Sequence, residues 1–397
     1  MYGFQEEVFY ALDRTCKSKG SLRLFFCCPG FVYSLFTSRL PALKEQVAAN
    51  EAEIGFILLS LGFSGLIGLL LSAPLIRRFT SRRVLRVSSL ALLFSLPVAA
   101  MATSPLTLAA GCVFIGLSTG LADVAMNTQA IEVEKHYSVH CLAFMHAGYG
   151  MGALLGSSSA AGLAALGMSP FWNFVVLMSA AALVRPFMVG HMQDDSLTVP
   201  REEGPKKAFV LPPLFVILCG LVAGCDYATE GSVGEWGALF LFSVKGASEQ
   251  TAALVYGVFS LSAVACRLVT DLLRTHFDDF HIIFCGSIVA VTGMTTVLFA
   301  PGSFLTLAGY ACMGCGLAPV VPILFSRAGS YPGVSASAAS AVVSVLAYSS
   351  LLLFPPLIGV LAHAYSLRTA LMLPLLLCGL LVAASFLFRQ GSRSAGA

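Results

Sequence analysis

The stretch from 54 to 76 reads IGFILLSLGFSGLIGLLLSAPLI, and the seven residues after it read RRFTSRR. An α-helix needs about 20 apolar residues to cross the hydrocarbon core of a bilayer, and this uncharged run is long enough. Arginines directly after such a run are typical of a helix end at a membrane surface. The stretch therefore predicts a transmembrane helix followed by a basic turn.

Similar runs recur along all 397 residues, of which 57% are apolar and 11% are charged. Soluble domains carry about 25% charged residues, so this chain has too few charges to cover a water-soluble core. We predict an all-α membrane protein with twelve transmembrane helices in two pseudo-symmetric six-helix bundles. The predicted spans are 22–43, 54–76, 84–104, 106–131, 139–166, 169–190, 212–243, 249–273, 280–301, 303–326, 334–363 and 367–388.

The basic residues orient these twelve spans. Of the 23 Lys and Arg residues, all but four fall on the side that holds both termini. The positive-inside rule therefore predicts a multi-pass protein with both termini in the cytoplasm. The longest polar stretch divides the chain into halves. The predicted parts are a cytoplasmic tail over 1–21, a bundle over 22–190, a cytoplasmic linker over 191–211, a bundle over 212–388 and a tail over 389–397.

Two short strings suggest that the halves are repeats. AGCVFIG at 110–116 and AGYACMG at 308–314 are offset by about half of the chain. Duplicated six-helix halves are one way to build a transporter with its site near the midplane. In the fifth span Gly148, Gly152 and Gly156 form a GxxxGxxxG stripe, which predicts close helix packing in lipid.

Several classes of function are excluded by what the sequence contains. The net charge of +3 is small and scattered, which argues against a nucleic-acid partner. Most of the twelve Cys lie inside apolar runs and are typical of small hydrophobic residues. We find no HExxH, no P-loop and no sizeable extramembrane domain, so we expect neither an enzyme nor a bound metal or cofactor.

Acids inside predicted spans carry most of the functional information, because a central charge costs about 2.5–3.5 kcal/mol on insertion scales. Asp123 lies deep in the fourth span with Asn127 one helical turn further on, and Asp226 and Glu230 have the same spacing in the seventh span. Burial and a like-charged neighbour both disfavour a carboxylate, so one of these acids should bind a proton near neutral pH. His146 in the fifth span is a further candidate for the proton relay, or a structural residue.

A second group of polar residues is predicted at the outer ends of the spans. Arg39 at the end of the first span either snorkels to the surface or pairs with an outer acid or an anionic cargo. Glu235 and Trp236, one to two turns beyond Glu230, are predicted to lie near the outer rim.

These features together resemble the major facilitator superfamily. ADVAMNTQAIEVE at 122–134 and FMHAGYGMGALLG at 144–156 resemble the fucose permease branch, in which a span-four acid stands four residues before an Asn. SRLPALK at 38–44 and EGSVGEW at 230–236 look closer still to YbjJ-type bacterial inner-membrane transporters. The resemblance implies alternating access and carries the span-four acid over onto Asp123 as the candidate proton site.

The superfamily also has a basic cytoplasmic turn in each half, which the resemblance carries over as a gate. The first copy here, APLIRRFTSRR, places Arg77 where an acid is usual, whereas the second copy, CRLVTDLLRTHF, keeps Arg267, Asp271 and Arg274. Only two Trp are present, so a sugar is a weaker expectation than proton coupling.

The function predicted from the sequence is secondary active transport of a small organic solute, with a lipid bilayer and protons as the other partners and a monomer as the working state. Proton-coupled symport is the leading interpretation. Proton-driven efflux of drugs or amphiphilic metabolites is the alternative, because most residues of the predicted spans are apolar.

Overall fold

The computed structural model describes residues 2–137, 142–192, 213–334 and 336–389. Within these ranges every secondary-structure element is a helix. The predicted linker falls almost wholly outside the described residues, as does the C-terminal tail beyond 389. Helix bounds are Tyr2–Ser38 (α1), Leu40–Gln46 (α2), Glu51–Phe79 (α3), Ser81–Ala100 (α4), Pro105–Tyr137 (α5), Leu142–Ala165 (α6), Pro170–Gly190 (α7), Leu214–Ser243 (α8), Glu249–Ala253 (α9), Val255–His276 (α10), Asp279–Phe299 (α11), Ser303–Leu317 (α12), Val320–Gly329 (α13), Ala336–Ala364 (α14), Leu367–Ala370 (α15), Met372–Ser385 (α16) and a final 3₁₀ turn, Phe386–Phe388.

Within the described residues, each of the twelve predicted spans overlaps one helix or a run of two or three consecutive helical elements. Ten stretches of the described chain are long and apolar enough to cross a membrane. The tenth span is broken where Pro319 follows Ala318, between α12 and α13, as expected because proline lacks the N–H that helix continuation requires. The predicted tail over 1–21 is helical, since α1 begins at Tyr2 and runs without a break into the first span.

The chain divides into two compact units, each packed mainly against itself. Unit 1 comprises Met1–Phe36, Glu45–Ala48 and Ser60–Glu202, and unit 2 comprises Thr37–Lys44, Ala49–Leu59 and Glu203–Ala397. The end of the first span and the start of the second therefore group with the C-terminal half of the chain. Within unit 2, α8 packs against α14, α16 and α10, which surround the helix that carries Asp226 and Glu230.

Glycines set the close helix approaches inside unit 1. A Cβ added at Gly152 would overlap the backbone carbonyl of Cys27 on α1, and one added at Gly156 would lie 2.5 Å from the carbonyl oxygen of Phe31. At Gly148 the same test gives 3.2 Å to the carbonyl oxygen of Arg23. The predicted stripe in the fifth span therefore brings α6 against the backbone of α1.

The two halves repeat their packing at an offset of 198 residues. A Cβ on Gly116 of α5 would clash with Ser64 and the Leu61 carbonyl of α3, and a Cβ on Gly314 of α12 would clash with Ser262 and the Phe259 carbonyl of α10. In both halves the serine hydroxyl donates to that same carbonyl oxygen, at 3.0 Å in the first and 2.7 Å in the second. The internal repeat suggested by two short strings is thus visible in the helix packing.

The helix ends repeat in the same way. Gln46 Nε2 donates to the carbonyl oxygens of Ala100 and Ala102 at 2.8 and 2.7 Å, at the C-terminus of α4 and just beyond it. Lys245 Nζ donates to those of Leu298 and Ala300 at 3.2 and 2.7 Å, at the end of α11. These donors satisfy carbonyls that a helix end leaves without an intrahelical partner.

Candidate functional site

Two acids lie one turn apart in the middle of α8. Asp226 is 1% exposed, and its Oδ1 has no hydrogen-bond partner among the described residues. The Glu230 side chain keeps 25% of its surface accessible. The predicted pair is therefore formed by one carboxyl closed off inside unit 2 and one open to its surroundings, on the same helical face.

The cation next to this pair is Arg267 of α10. Its Nη2 lies 3.8 Å from Glu230 Oε2, and its side chain is 47% exposed. The contact places Arg267 against the acids of α8, nine residues before α10 ends at His276. Tyr227 and Tyr348 pack edge to face beside the acids, with ring centroids 5.5 Å apart. Two carboxyls, a guanidinium and two phenols thus come together in unit 2.

The acid of unit 1 is Asp123 on α5, which is half-buried. The side-chain amide of Asn127 donates to the Asp123 backbone carbonyl at 2.9 Å and lies 3.5 Å from Asp123 Oδ1. The predicted spacing therefore brings the amide against the acid. The side chain of His146, the other candidate relay residue of this half, lies outside the described residues.

Arg39 does not snorkel. Its side chain is 1% exposed, and its Nη1 lies 3.1 Å from Glu249 Oε1 at the start of α9. Ser38 Oγ donates to the Ala253 carbonyl oxygen at 2.8 Å, next to this pair. Of the alternatives open from the sequence, the ion pair with an acid is the one present. An arginine this deeply buried needs a counter-charge, which Glu249 supplies.

Glu235 and Trp236 are buried within α8, at 8% and 0% exposure. The indole Nε1 of Trp236 has no acceptor among the described residues. Trp236 lines a cavity of about 260 Å³ together with Ser243, Ser366 and the ion pair Lys44–Glu51, in which Nζ and Oε1 are 2.6 Å apart. The cavity lies wholly within unit 2.

The predicted gate residues are dispersed in the structure. Arg77 is exposed at the end of α3, and the Asp271 side chain lies outside the described residues. Arg274 Nε lies 2.9 Å from Asp279 Oδ1, and Arg327 Nε lies 2.5 Å from Asp279 Oδ2. Asp279 therefore joins α10, α11 and α13 at one end of unit 2, whereas Arg267 lies with the acids of α8.

Three residues of these clusters were not singled out from the sequence. Asp279 and Glu249 stand at the first position of α11 and α9, where an acid commonly interacts with the helix dipole. Arg327 stands in the last turn of α13, where a base is favoured for the same reason. The preference for acids at helix N-termini and bases at helix C-termini was the available signal. It does not predict which distant arginine forms an ion pair with each acid.

Comparison with known proteins identifies the class. The family model of the Major Facilitator Superfamily matches residues 24–350, and the chain belongs to this family. It is 32% identical over 345 residues to the "Uncharacterized transporter y4wD" of Sinorhizobium fredii, an alignment that covers 86% of this chain and 90% of that protein.

Solved structures show the same fold. The nucleoside transporter NupG superimposes with a TM-score of 0.73 at 13% identity, covering 94% of this chain and 98% of that one. The D-xylose-proton symporter gives a TM-score of 0.68 at 15% identity, with 92% and 96% covered. The protein is therefore a membrane-embedded, multi-pass transporter with the fold of twelve helices in two halves, as predicted from the sequence.

Proposed function

We propose that this protein is a proton-coupled symporter that moves a small organic solute by alternating access. The observation that carries the proposal is the cluster of Asp226, Glu230 and Arg267 in unit 2. A guanidinium next to two carboxyls one turn apart can neutralise only one of them fully, so the cluster has room for one exchangeable proton.

Asp226 supports this interpretation by its burial. An ionised carboxylate that is fully buried costs several kcal/mol unless its oxygens are paired, and Asp226 Oδ1 has no partner among the described residues. A bound proton removes that cost. Glu230 is accessible and is paired at the longer distance of 3.8 Å, so it is suited to exchange a proton and release Arg267 as it does so.

In this mechanism the protonation state of Glu230 determines whether Arg267 is free to bind the solute. When Glu230 is ionised, Arg267 is held at its carboxylate. When Glu230 takes up a proton, the guanidinium becomes available to Asp226 or to an acceptor group on the solute. Asp123 with Asn127 supplies the acid and amide that the other half contributes to binding or coupling, and His146 is proposed as a member of the same relay.

The test uses the purified chain in proteoliposomes that contain a pH-sensitive dye. A nucleoside and D-xylose, the solutes named for two structures of the same fold, are the first probes, followed by a wider set chosen by thermal stabilisation. Addition of a transported solute outside should acidify the lumen. Glu230→Gln and Asp123→Asn should each abolish solute-dependent proton entry, and Asp226→Asn should reduce it.

The matched control is Asp278→Asn, because the Asp278 side chain is 57% exposed at the start of α11. This variant removes one carboxylate without touching the cluster and should transport as the wild type does. Full pH-driven transport by Glu230→Gln and by Asp123→Asn would exclude these acids as coupling sites.

Proton-driven efflux is the second candidate. The aromatic pair Tyr227–Tyr348 beside the acids favours it, since rings next to a charge are suited to an amphiphilic solute. The same assay separates the two. The solute is loaded into the lumen, and the outside is made more acidic than the lumen. In an antiporter the solute should then leave the lumen as protons enter it. A symporter instead moves both species in one direction.

We further propose that the chain belongs to the fucose permease and YbjJ-type branch, works as a monomer, and lies in a bacterial inner membrane with both termini in the cytoplasm. The strings at 122–134 and 230–236 and the side on which the basic residues fall support these points. Cysteine labelling from either side of the membrane at positions 1 and 397 tests the orientation.

A further inference from the structure

Two arginines meet near one end of unit 1. Arg86 lies in the second turn of α4, and Arg185 lies five residues before the end of α7. Arg185 Nη2 donates to the Arg86 carbonyl oxygen at 2.5 Å, and Arg185 Nε donates to Ser89 Oγ at 3.3 Å. These bonds hold the Arg185 guanidinium against α4, beside the Arg86 side chain.

No described residue balances the charge of this pair. None of the carboxylates of the described residues forms an ion pair with either arginine, and Arg86 Nε has no hydrogen-bond partner among those residues. In unit 2, by contrast, Arg274 and Arg327 share the carboxylate of Asp279. Two guanidinium groups held side by side repel each other, so an anion bound beside them would stabilise both.

The position of the pair along the two helices bears on the source of such an anion. At 1.5 Å of rise per residue, both arginine Cα atoms lie about 7.5 Å in from their helix ends, just inside the edge of a hydrocarbon core about 30 Å thick, and a long arginine side chain extends from there toward the lipid headgroups. Large apolar side chains that face outward flank them on both helices. These are Val87 (70% exposed) and Leu90 (44%) on α4, and Leu183 (84%) and Phe187 (42%) on α7.

We propose that Arg86 and Arg185 bind the phosphodiester of an anionic phospholipid whose acyl chains lie along the outward apolar face of α4 and α7. The N–H groups of a guanidinium match the oxygens of a phosphate in geometry and in charge. Basic sites between transmembrane helices are known to take such headgroups. By the orientation proposed above, the lipid belongs to the cytoplasmic leaflet.

The experiment is native mass spectrometry of the full-length protein in detergent, titrated with phosphatidylglycerol or with phosphatidylcholine. The wild type should retain phosphatidylglycerol about tenfold better than phosphatidylcholine, and the double variant Arg86→Gln/Arg185→Gln should lose that preference. Arg83→Gln is the matched control, because Arg83 is exposed on the same helix and its removal changes the net charge equally per site. It should leave the preference intact.

Three results would overturn the proposal. One is an unchanged preference in the double variant, and another is an equal loss in Arg83→Gln, which would mean that only overall charge matters. The third is displacement of phosphatidylglycerol by millimolar inorganic phosphate, which would assign the site to a free anion. Size-exclusion profiles and helical content check folding. If the double variant does not fold, Arg86→Gln and Arg185→Gln are tested singly, and each should lower retention.

Discussion

Arg267 Nη2 and Glu230 Oε2 face each other at 3.8 Å between α10 and α8, a cation and an acid that both lie inside helices of membrane-spanning length. The contact is loose and partly accessible. Such pairs contribute little to stability, about 0–1 kcal/mol at exposed positions. A charge pair that stabilises so little, placed where charges are costly, points to a role in the transport cycle.

The first prediction separates that role from a structural one. Glu230→Gln, Arg267→Gln and the double variant should each change the free energy of unfolding by no more than about 1 kcal/mol, with a coupling energy inside that range. Transport by both single variants should fall by an order of magnitude or more. A double-mutant cycle in thermal unfolding, run beside the proteoliposome assay, measures both. A large coupling energy with transport intact would make the pair a structural clamp.

The second prediction concerns the buried pair Arg39–Glu249. Glu249→Gln should destabilise the protein by about 3 kcal/mol, because it removes the negative charge next to a guanidinium that is 1% exposed. Arg39→Met/Glu249→Gln removes both charges and should be more stable than Glu249→Gln alone. The melting temperatures in detergent rank the stabilities of the wild type, Glu249→Gln and the double variant. Equal melting temperatures for Glu249→Gln and the wild type would show that the carboxylate does not compensate Arg39.

The third prediction tests the close approach of α6 to α1. Gly152→Ala should destabilise by about 1–3 kcal/mol, because the new Cβ overlaps the Cys27 carbonyl and pushes two backbones apart. Gly162→Ala on the same helix is the control, since a Cβ there meets nothing within 4 Å. It should be neutral or stabilising by up to about 1 kcal/mol through helix propensity. Chemical denaturation of both variants measures these changes in the free energy of unfolding.

The fourth prediction uses the internal repeat. Gln46 caps in the first half what Lys245 caps in the second, so Lys245→Gln should keep the cap while Lys245→Ala should lose about 1 kcal/mol. Burial, followed by the charge of Arg368, lowers the pKa of Lys245. The unfolded chain therefore holds this proton to higher pH than the folded protein, and wild-type stability gains as pH rises toward about 10.4. The stability of the wild type relative to Lys245→Gln should therefore rise from pH 8 to pH 10.

Much of the fold was readable from the sequence because a bilayer imposes one length and one polarity on every crossing. The 54–76 stretch, the glycine stripe and the half-chain offset each correspond to a feature of the structure. The predicted tail over 1–21 belongs to the same helix as the first span, since α1 begins at Tyr2. Hydropathy detects where a helix is apolar enough to cross, but it does not detect how far helical geometry continues beyond the apolar run.

The site was predictable in its residue types and much less so in its partners. The spacing of Asp226 and Glu230 follows from helical periodicity, and so does the contact between Asn127 and Asp123. The pairs Arg267–Glu230 and Arg39–Glu249 join residues far apart in sequence, so only tertiary packing brings them together. The sequence accordingly placed Arg267 in a cytoplasmic turn and left Arg39 between the surface and an ion pair with an unnamed outer acid.

The 198-residue repeat relates Glu51 to Glu249 as well as the packing positions, but it leaves Asp226, Glu230 and Asp123 without acidic counterparts. Positions equivalent to Asp226 and Glu230 hold Cys28 and Val32, and the position equivalent to Asp123 holds Val321. Duplication thus accounts for the framework while leaving the reactive groups unmatched. Each half therefore carries its own set of ionisable side chains on a similar helical framework, so the two halves are specialised for different chemistry.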